Sequence, residues 1–464
     1  SPIFLPSAAS FMTDIPGLLV IFVCIYMCQR AVAAKADRTA VLWLGVATLV
    51  NLTGGTVRQI AWLGALIIVP STAWLLRERR GMKLAGPVLW LLSLAGVIAC
   101  RHWFDSQPYS VPEHIIWAPI HPMTPIHLGA QLVKMFLCLL LVLFPVVSAW
   151  LPTANRLDRR AWLWFASALA FFISLTILAF AVGRIETWTM PWLMFLMAEQ
   201  STVIPGVLGL SSKAMTLWIQ IAISLAVIGS AILAGQQIAM QRATRPRRSD
   251  LNALSWNTIT WILVPYSISY VLLLMPRGAF DRIQDRYLIG LVPTAIVFLL
   301  RLYQEQIAKK LPAISWIALT LFALYSIAGT HDFFAESRAQ VRALNMVVSS
   351  GVPRTSVQAG FPADGWVQIQ NGGHINEPRL RIPAGAYNPY IPYVTLPDVC
   401  VDGFTRFTPI IAPKYFVVFP WLKNSLGLPP AWCFAPSKYP SVQYRTWLPP
   451  FEETLSVLQL NNHR

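Results

Sequence analysis

Long apolar stretches recur along this chain, and they restrict its fold more than any other feature. They run for about 17 to 25 residues between basic or polar loops, the length a helix needs to cross about 30 Å of hydrocarbon. Of the 464 residues, 56% are hydrophobic and only 12% are charged. A soluble fold of this length cannot bury so much apolar surface, so part of it is expected to face lipid. The sequence therefore predicts a polytopic α-helical membrane protein.

About ten transmembrane helices are predicted from these stretches. They cover residues 15–34, 39–54, 58–76, 85–100, 129–151, 161–182, 215–238, 254–275, 287–303 and 312–328. From about residue 329, Pro, Gly, Asn, Tyr and Trp become more frequent. This change predicts a transmembrane domain over 1–328 and a small mixed α/β domain over 329–464.

Two segments carry the prediction for the C-terminal domain. Residues 332–350 suit an amphipathic helix that leads into a turn at Gly351. Its apolar face is expected to hold Phe333, Val341, Leu344 and Val347. Residues 413–421 are typical of a β-strand between turn residues.

Basic residues are unevenly divided between alternate loops, and this predicts the orientation. One set of loops holds Arg30, Lys35, Arg38, Arg77, Arg79, Arg80, Lys83, Arg156, Arg159, Arg160, Arg242, Arg245, Arg247, Arg248, Arg301, Lys309 and Lys310. Cytoplasmic loops retain Lys and Arg, so these ends are predicted to be cytoplasmic, with the C-terminal domain on the other side of the membrane. The net charge of +16 then reflects orientation and contact with anionic lipids, and we expect no nucleic-acid partner because the sequence contains no such binding motif.

Cysteine and histidine positions leave two questions open. Cys24, Cys28, Cys100 and Cys138 fall in or beside predicted spans, where a thiol acts as a small apolar residue. Cys400 and Cys433 lie in the predicted exported domain, where they either form a disulfide or remain free thiols. Loop 101–128 carries potential ligands of a divalent metal at His102, Asp105, Glu113, His114, His121 and His127. Their spacing matches no compact metal site, and the alternative is a loop lying among lipid headgroups.

Arg58 is the one basic residue between two apolar spans and lies at a non-cytoplasmic end, against the positive-inside trend. Its planar guanidinium can bind a lipid phosphate, with Gln59 as a neighbouring hydrogen-bond partner. Alternatively, Arg58 extends to ordinary headgroups and Gln59 faces another helix. Asp14, at the start of the first span, either caps that helix or orients a sugar hydroxyl or a metal.

Segment 281–287 concentrates charge at the predicted outer end of the ninth span. It contains Asp281, Arg282, Asp285, Arg286 and Tyr287. Mixed charges at this spacing are usually a solvated loop with internal pairing. The alternative is that Arg286 and Tyr287, supported by Asp285, bind a phosphate by charge and by a phenol hydrogen bond.

Four segments in order along the chain resemble the motifs of one enzyme family. They are 10–18 (SFMTDIPGL), 54–60 (GGTVRQI), 281–293 (DRIQDRYLIGLVP) and the tail 328–366. Together they resemble bacterial GT-C glycosyltransferases of the dolichyl-phosphate-mannose–protein mannosyltransferase-like group. The resemblance implies a transferase of the bacterial inner membrane. It is expected to move a hexose or pentose from a polyprenyl-phosphate donor to a protein, lipid or glycan at the outer face of that membrane.

The same resemblance assigns roles to residues of this chain. The donor phosphate is expected to contact Arg58, Arg286 and Tyr287, and the two arginines are expected to stabilise it as it leaves during inverting transfer. The family's acidic catalytic residue lies in a loop before the span equivalent to 15–34, so it is expected upstream of Ser1, with Asp14 as the candidate in this sequence. No Gly-rich nucleotide-binding loop is found in the sequence, and a divalent metal is the one cofactor left open.

Two other functions fit ten spans with polar outward loops. A transporter or flippase for a lipid-linked or small substrate needs ionisable or broken-helix elements near the midplane. Within the predicted spans Lys134 is the clear ionisable candidate, and it lies near one end. The third alternative is a non-catalytic membrane scaffold.

Overall fold

The computed structural model covers the chain in several segments separated by gaps. It describes residues 14–106, 139–156, 217–242, 255–280, 285–307, 310–372, 413–418, 434–448 and 451–460, with scattered positions in 128–174 and Ile411. The described residues form two compact units. The first contains the described residues up to Ala323 except 103–106 and Leu217. The second contains 103–106, Leu217 and the described residues from Leu324 onward.

Helices dominate the described part of the chain. They are α1 (Asp14–Ala33), α2 (Asp37–Val57), α3 (Val69–Leu75), α4 (Arg80–Asp105), α5 (Phe144–Val147), α6 (Leu217–Arg242), α7 (Trp256–Phe280), α8 (Val292–Gln306), α9 (Ala313–Ser349) and α10 (Phe361–Gly372). Five helices in the described residues are long and apolar enough to cross a membrane: Ile15–Ala33 of α1, α2, α4, Trp256–Met275 of α7, and α9. This indicates a membrane-associated protein, and the ten predicted spans stay a prediction.

Helices α1 and α2 pack against each other along an antiparallel hairpin. Large apolar side chains on their outer faces, such as Leu19 and Leu42, are more than half exposed, as expected for a surface that meets lipid. At the turn of the hairpin, the Arg79 guanidinium donates to the carbonyls of Val32 and Ala34 at 3.2 and 2.7 Å. A cation beside the last carbonyls of α1 stabilises that helix end.

The third predicted span is irregular. A short 3₁₀ turn (Gln59–Ala61) and a π-helical segment (Gly64–Ile68) precede α3. Gly64 lies against the buried side chain of Asn51, and a Cβ at this glycine would be 1.9 Å from the amide oxygen. Pro70 near the start of α3 has no N–H to donate. The close approach to α2 and the missing donor both accompany the departure from α-helix.

The C-terminal unit is a small sheet packed on the second half of α9. Its strands are β1 (Val357–Gln358), β2 (Tyr415–Val418), β3 (Phe434–Pro436), β4 (Val442–Arg445) and β5 (Glu452–Leu460). The sheet order is β1-β2-β5-β3, with β4 paired separately to β5. Strands β1 and β2 are parallel, whereas β5 is antiparallel to β2, β3 and β4.

The buried core of this unit lies between α9 and the sheet. Helix α9 contributes Leu344, Val347 and a stripe of alanines at 335, 339 and 343, and the sheet contributes Val357, Val417, Leu455 and Val457. The alanine stripe repeats every four residues, so the sheet can approach the helix closely along one face.

Several sequence predictions for this unit can be compared directly with the structure. Residues 332–349 are helical, but they continue the preceding helix, so the predicted boundary at 328–329 falls inside α9. The buried positions Leu344 and Val347 are confirmed, whereas the placement of Val341 on the apolar face is wrong, since it is 52% exposed. The alanine stripe occupies the face that larger side chains were expected to fill. Gly351 forms the predicted turn with a φ of 90°, and β2 lies in the predicted strand.

Candidate functional site

Helix α1 contacts both of the other membrane motifs. Its first turns contain 14–18 of the first motif, and it packs against the 3₁₀ turn that follows Arg58. It also contacts a second 3₁₀ segment, Asp285–Gly290, within the third motif. Residues far apart in sequence therefore meet along one helix in the first unit.

The contact between the first two motifs is the closest of these. Gly17 of α1 faces the side chain of Arg58, and a Cβ at this glycine would lie 2.8 Å from Arg58 Cβ and 2.9 Å from its Cγ. Real side chains do not approach so closely, so this position needs the absence of a side chain. Gly17 thereby determines where the aliphatic part of Arg58 lies.

Arg58 lies in a break between two helical segments. Its backbone is extended, with φ of −145° and ψ of 112°, directly after the last residue of α2. Its N–H donates to the carbonyl of Gly54 at 3.1 Å, and its carbonyl accepts from the N–H of Ala61 at 2.9 Å. The backbone N–H and the carbonyl of Arg58 are therefore both hydrogen-bonded, which positions its backbone. Its side chain is half-buried.

The Gly-Gly pair of the second motif lets two neighbours approach α2. A Cβ at Gly54 would lie 2.5 Å from Val20 on α1, and one at Gly55 would lie 1.9 Å from the indole of Trp62. The same indole N–H donates to the carbonyl of Leu52 at 3.2 Å. Gly54 thus brings α1 close, and Gly55 lets the chain after Arg58 fold back on α2.

Two tyrosines of α7 hold the 3₁₀ segment of the third motif. The hydroxyl of Tyr270 donates to the carbonyl of Tyr287 at 2.6 Å, and that of Tyr266 donates to the carbonyl of Gly290 at 3.3 Å. These tyrosines are four residues apart, so they lie on one face of α7. A 3₁₀ segment has carbonyls that its own hydrogen bonds do not use, and the tyrosines satisfy two of them.

The structure describes the side chains of some of the predicted site residues and only the backbone of others. Gln59 is exposed, whereas Tyr287 is buried with 9% of its surface accessible. Asp14 is the first residue of α1, and Asp285 and Arg286 begin the 3₁₀ segment, but their side chains lie outside the described part of the structure. The geometry therefore brings Arg58 to the first motif and the backbone of 285–290 to α1.

The loops and cysteines are only partly described. In loop 101–128, His102 and Asp105 are exposed at the end of α4, whereas Glu113, His114, His121 and His127 lie outside the described residues, as do Lys134, Cys138, Cys400 and Cys433. Cys24, Cys28 and Cys100 are free thiols. Among the described residues, no group of three or more His, Cys, Asp or Glu side chains is placed to hold a metal ion.

Sequence reasoning missed the residues that build this arrangement. Gly17 lies inside the quoted first motif, but nothing local shows that it faces Arg58. Tyr266 and Tyr270 carry a usable signal, because two tyrosines four residues apart in an apolar helix need hydrogen-bond partners. Their partners on 285–290 follow only from the packing.

Chemically, the arrangement places the aliphatic stem of Arg58 at a helix break near the first turns of α1. A guanidinium carried there can bind a phosphate or carboxylate. Backbone N–H groups in the first turn of α1 add positive potential at the same end.

Comparisons with protein-family models, with curated proteins and with solved structures each find no match for this chain.

Proposed function

We propose that this protein is a membrane glycosyltransferase of the GT-C type. It moves a sugar from a polyprenyl-phosphate donor to a protein, lipid or glycan acceptor at the non-cytoplasmic face of the membrane. Arg58 binds the donor phosphate, and Arg286 and Tyr287 complete the phosphate site.

One observation carries the proposal, namely the contact between Gly17 and Arg58. Two segments that resemble motifs of the same enzyme family meet at one point, although about forty residues separate them in sequence. A residue that only extended to lipid headgroups would not need its aliphatic stem packed against a glycine of another helix. The packing favours a guanidinium held for a specific ligand.

The ends of the α1–α2 hairpin support the proposed side of the membrane. Arg58 lies at the end of the hairpin near the start of α1, whereas Arg79, from the strongly basic loop, contacts the opposite end. Because basic loops remain cytoplasmic, Arg58 belongs to the other face. A donor whose sugar has already crossed the membrane is used at that face.

The proposed reaction is a displacement with inversion. An acceptor oxygen forms a bond to the anomeric carbon while the bond from that carbon to the phosphate oxygen breaks. The electron pair leaves with the polyprenyl phosphate, whose added negative charge Arg58 and Arg286 stabilise. The acceptor proton passes to a carboxylate, for which Asp14 is the candidate in this sequence.

The test compares donor binding and turnover in variants reconstituted into lipid nanodiscs. Arg58→Ala is expected to lower turnover of a polyprenyl-phosphate sugar by about two to three orders of magnitude, the scale for removing one group that stabilises developing charge. Arg58→Lys should recover only part, because an ammonium lacks the planar fork. Gly17→Ala keeps the guanidinium but displaces it, and a loss of about tenfold is expected for a small misplacement of a phosphate-binding group.

Arg101 provides the matched control, since it is an exposed arginine at the end of α4 on the same predicted side. Arg101→Ala should retain parental turnover, and the three arginine variants should insert and unfold like the parent. If Arg58→Ala transfers sugar at the parental rate, Arg58 is a headgroup anchor and the proposed phosphate site is wrong. If no polyprenyl-phosphate sugar is bound or consumed by the parent protein, the transferase proposal itself fails.

A further inference from the structure

The C-terminal unit contains a cavity with no role in the proposed transferase site. Its volume is about 970 Å³, and it lies between the face of α9 that starts at His331 and the hairpin of β4 and β5. A cavity of this size accommodates a small-molecule ligand or a lipid headgroup.

Three arginines line this cavity from both sides. Arg338 and Arg342 project from α9, and Arg445 projects from the end of β4. The Arg342 guanidinium donates to the carbonyl of Gln443 at 3.4 Å. This hydrogen bond orients the guanidinium, and because the acceptor is neutral it does not neutralise the positive charge. Glu452 also lines the cavity, opposite Arg445 in the strand register. The lining therefore carries three guanidinium groups and one exposed carboxylate.

Buried carboxylates lie beneath the lining, and donors of the protein itself engage two of them. Asp332 accepts the backbone N–H groups of Trp447 and Leu448 at 2.6 and 2.9 Å. Glu453 accepts the Tyr444 hydroxyl at 2.5 Å. Burial, with nearby carboxylates adding to it, raises the pKa of Tyr444 well above its usual range, so this hydroxyl stays a donor. Asp332 and Glu453 therefore accept hydrogen bonds from groups of the protein itself, whereas the exposed arginines line the cavity.

Aromatic rings form the open end of the cavity. The imidazole of His331 stacks on the indole of Trp447, with ring centroids 4.2 Å apart. Trp447 and Phe451 are nevertheless 58% and 59% exposed at the tip of the β4–β5 hairpin. Exposed Trp and Phe next to arginines are typical of surfaces at the membrane–water interface.

The course of α9 gives the level of this cavity relative to a bilayer. The helix begins with 18 uncharged residues, 313–330, and His331 and Asp332 follow directly. At 1.5 Å per residue, the distance along the helix from Ala313 to His331 is about 27 Å. That is close to the thickness of a hydrocarbon core, about 30 Å. The helical residues of the cavity therefore start where a spanning helix leaves the hydrocarbon.

We propose that this cavity binds the phosphate of an anionic phospholipid headgroup. Arg338, Arg342 and Arg445 bind the phosphate, and Trp447 and Phe451 contact the glycerol and upper acyl region. Guanidinium groups suit this ligand because they combine charge with a fork of N–H donors. The proposal requires α9 to cross the membrane and does not depend on the transferase activity.

Photocrosslinking tests the site directly in the whole chain. The protein is reconstituted into nanodiscs that contain a phosphatidylglycerol with a photoreactive headgroup, and the labelled peptides are mapped. We expect label on 331–345 and 442–452 in the parent protein. Replacing the three arginines together by Gln should lower this label at least fivefold. Arg354→Gln is the matched control, since Arg354 is an exposed arginine of the same unit outside the cavity.

Two further arms identify the ligand and exclude misfolding. The single variant Arg445→Gln, on an exposed strand position, should lower the label while hydrogen exchange of β5 stays parental. Equal labelling by the corresponding phosphatidylcholine probe would overturn the requirement for an anionic lipid. Loss of the label in excess inorganic phosphate would show a site for free phosphate and overturn the lipid assignment. Label that is unchanged in the triple variant would remove the site altogether.

Discussion

Buried polar side chains are satisfied differently in the two units. In the helices of the first unit, Thr48, Asn51, Thr72, Ser93 and Ser230 each hydrogen-bond the carbonyl four residues earlier on the same helix. In the C-terminal unit, Asp332 bonds backbone groups about 115 residues away, and Gln340 donates to the carbonyl of Ala359. These Ser, Thr and Asn bonds of the first unit are local in sequence, and its bonds between elements come from Tyr266 and Tyr270. In the C-terminal unit a buried carboxylate and a buried amide join separate elements.

This difference is the one expected between helices placed in hydrocarbon and a sheet placed in water. In hydrocarbon no water is present to hydrogen-bond a polar side chain. A hydroxyl that donates to a carbonyl of its own helix is satisfied without a partner on another helix. Beside the tyrosine hydrogen bonds of α7, specific contacts between the helices then use shape, as at Gly17 and Gly54, where missing side chains let neighbours approach. A small sheet domain in water can use buried charged groups as cross-links, because each is completed by partners only in the folded state.

The largest effect is expected at Asp332, where the comparison predicts a non-local cross-link. Asp332→Ala removes two charge-assisted hydrogen bonds to Trp447 and Leu448 and should destabilise the C-terminal unit by about 3 kcal/mol. Hydrogen exchange should show faster exchange in β4 and at the Leu448 amide. Asn345→Ala, at an exposed position of α9, is the control and should change neither. Parental exchange in Asp332→Ala would show that the carboxylate does not hold the hairpin.

An intermediate effect is expected from filling a close approach in the first unit. Gly55→Ala places a methyl group where the indole of Trp62 lies and should destabilise the protein by about 2 kcal/mol, the scale of overpacking. Gly45→Ala is on the same helix with no atom within 4 Å of the added methyl group, and it should be neutral or slightly stabilising. Thermal unfolding in detergent compares the two. Equal stability of both variants would contradict shape as the basis of packing here.

The smallest effect is expected where a hydroxyl bonds its own helix. Thr72 is fully buried and donates to the carbonyl of Ile68 at 2.8 Å. Thr72→Val keeps the shape and removes this bond, and a loss of about 0.6 kcal/mol or less is expected, as for side-chain hydrogen bonds within membranes. Thermal unfolding is again the measurement. A loss as large as that of Asp332→Ala would erase the contrast between the two units.

Sequence reasoning predicted elements better than contacts. The helices α1, α2, α4 and α7 lie close to predicted spans, because each has a long apolar run that is visible locally. The third span was predicted as a plain helix, and the structure replaces its first half by 3₁₀ and π segments. The irregular segment accompanies the approach of Gly64 to Asn51 on α2, a contact between residues about a dozen positions apart that leaves no periodic signal.

The same limit applies to the candidate sites. Arg58 was identified from sequence because a basic residue between apolar spans is locally anomalous, but its contact with Gly17 was not. In the C-terminal unit, the arginines of α9 and β4 are about a hundred residues apart, so no motif joins them. Val341 was misplaced because alanines, which carry little hydrophobic signal, form the buried stripe of α9.

By itself, the sequence determined that the described helices are long and apolar enough to meet a membrane, since helix length and hydropathy are properties of consecutive residues. It also predicted, from the change in composition near residue 329, that strands follow in the C-terminal part, and β1 to β5 all lie there. Only the tertiary structure decided that Gly17 meets Arg58 and that Asp332 holds the β4–β5 hairpin. Such contacts join segments that are distant along the chain, and their free energy arises only once both partners are packed.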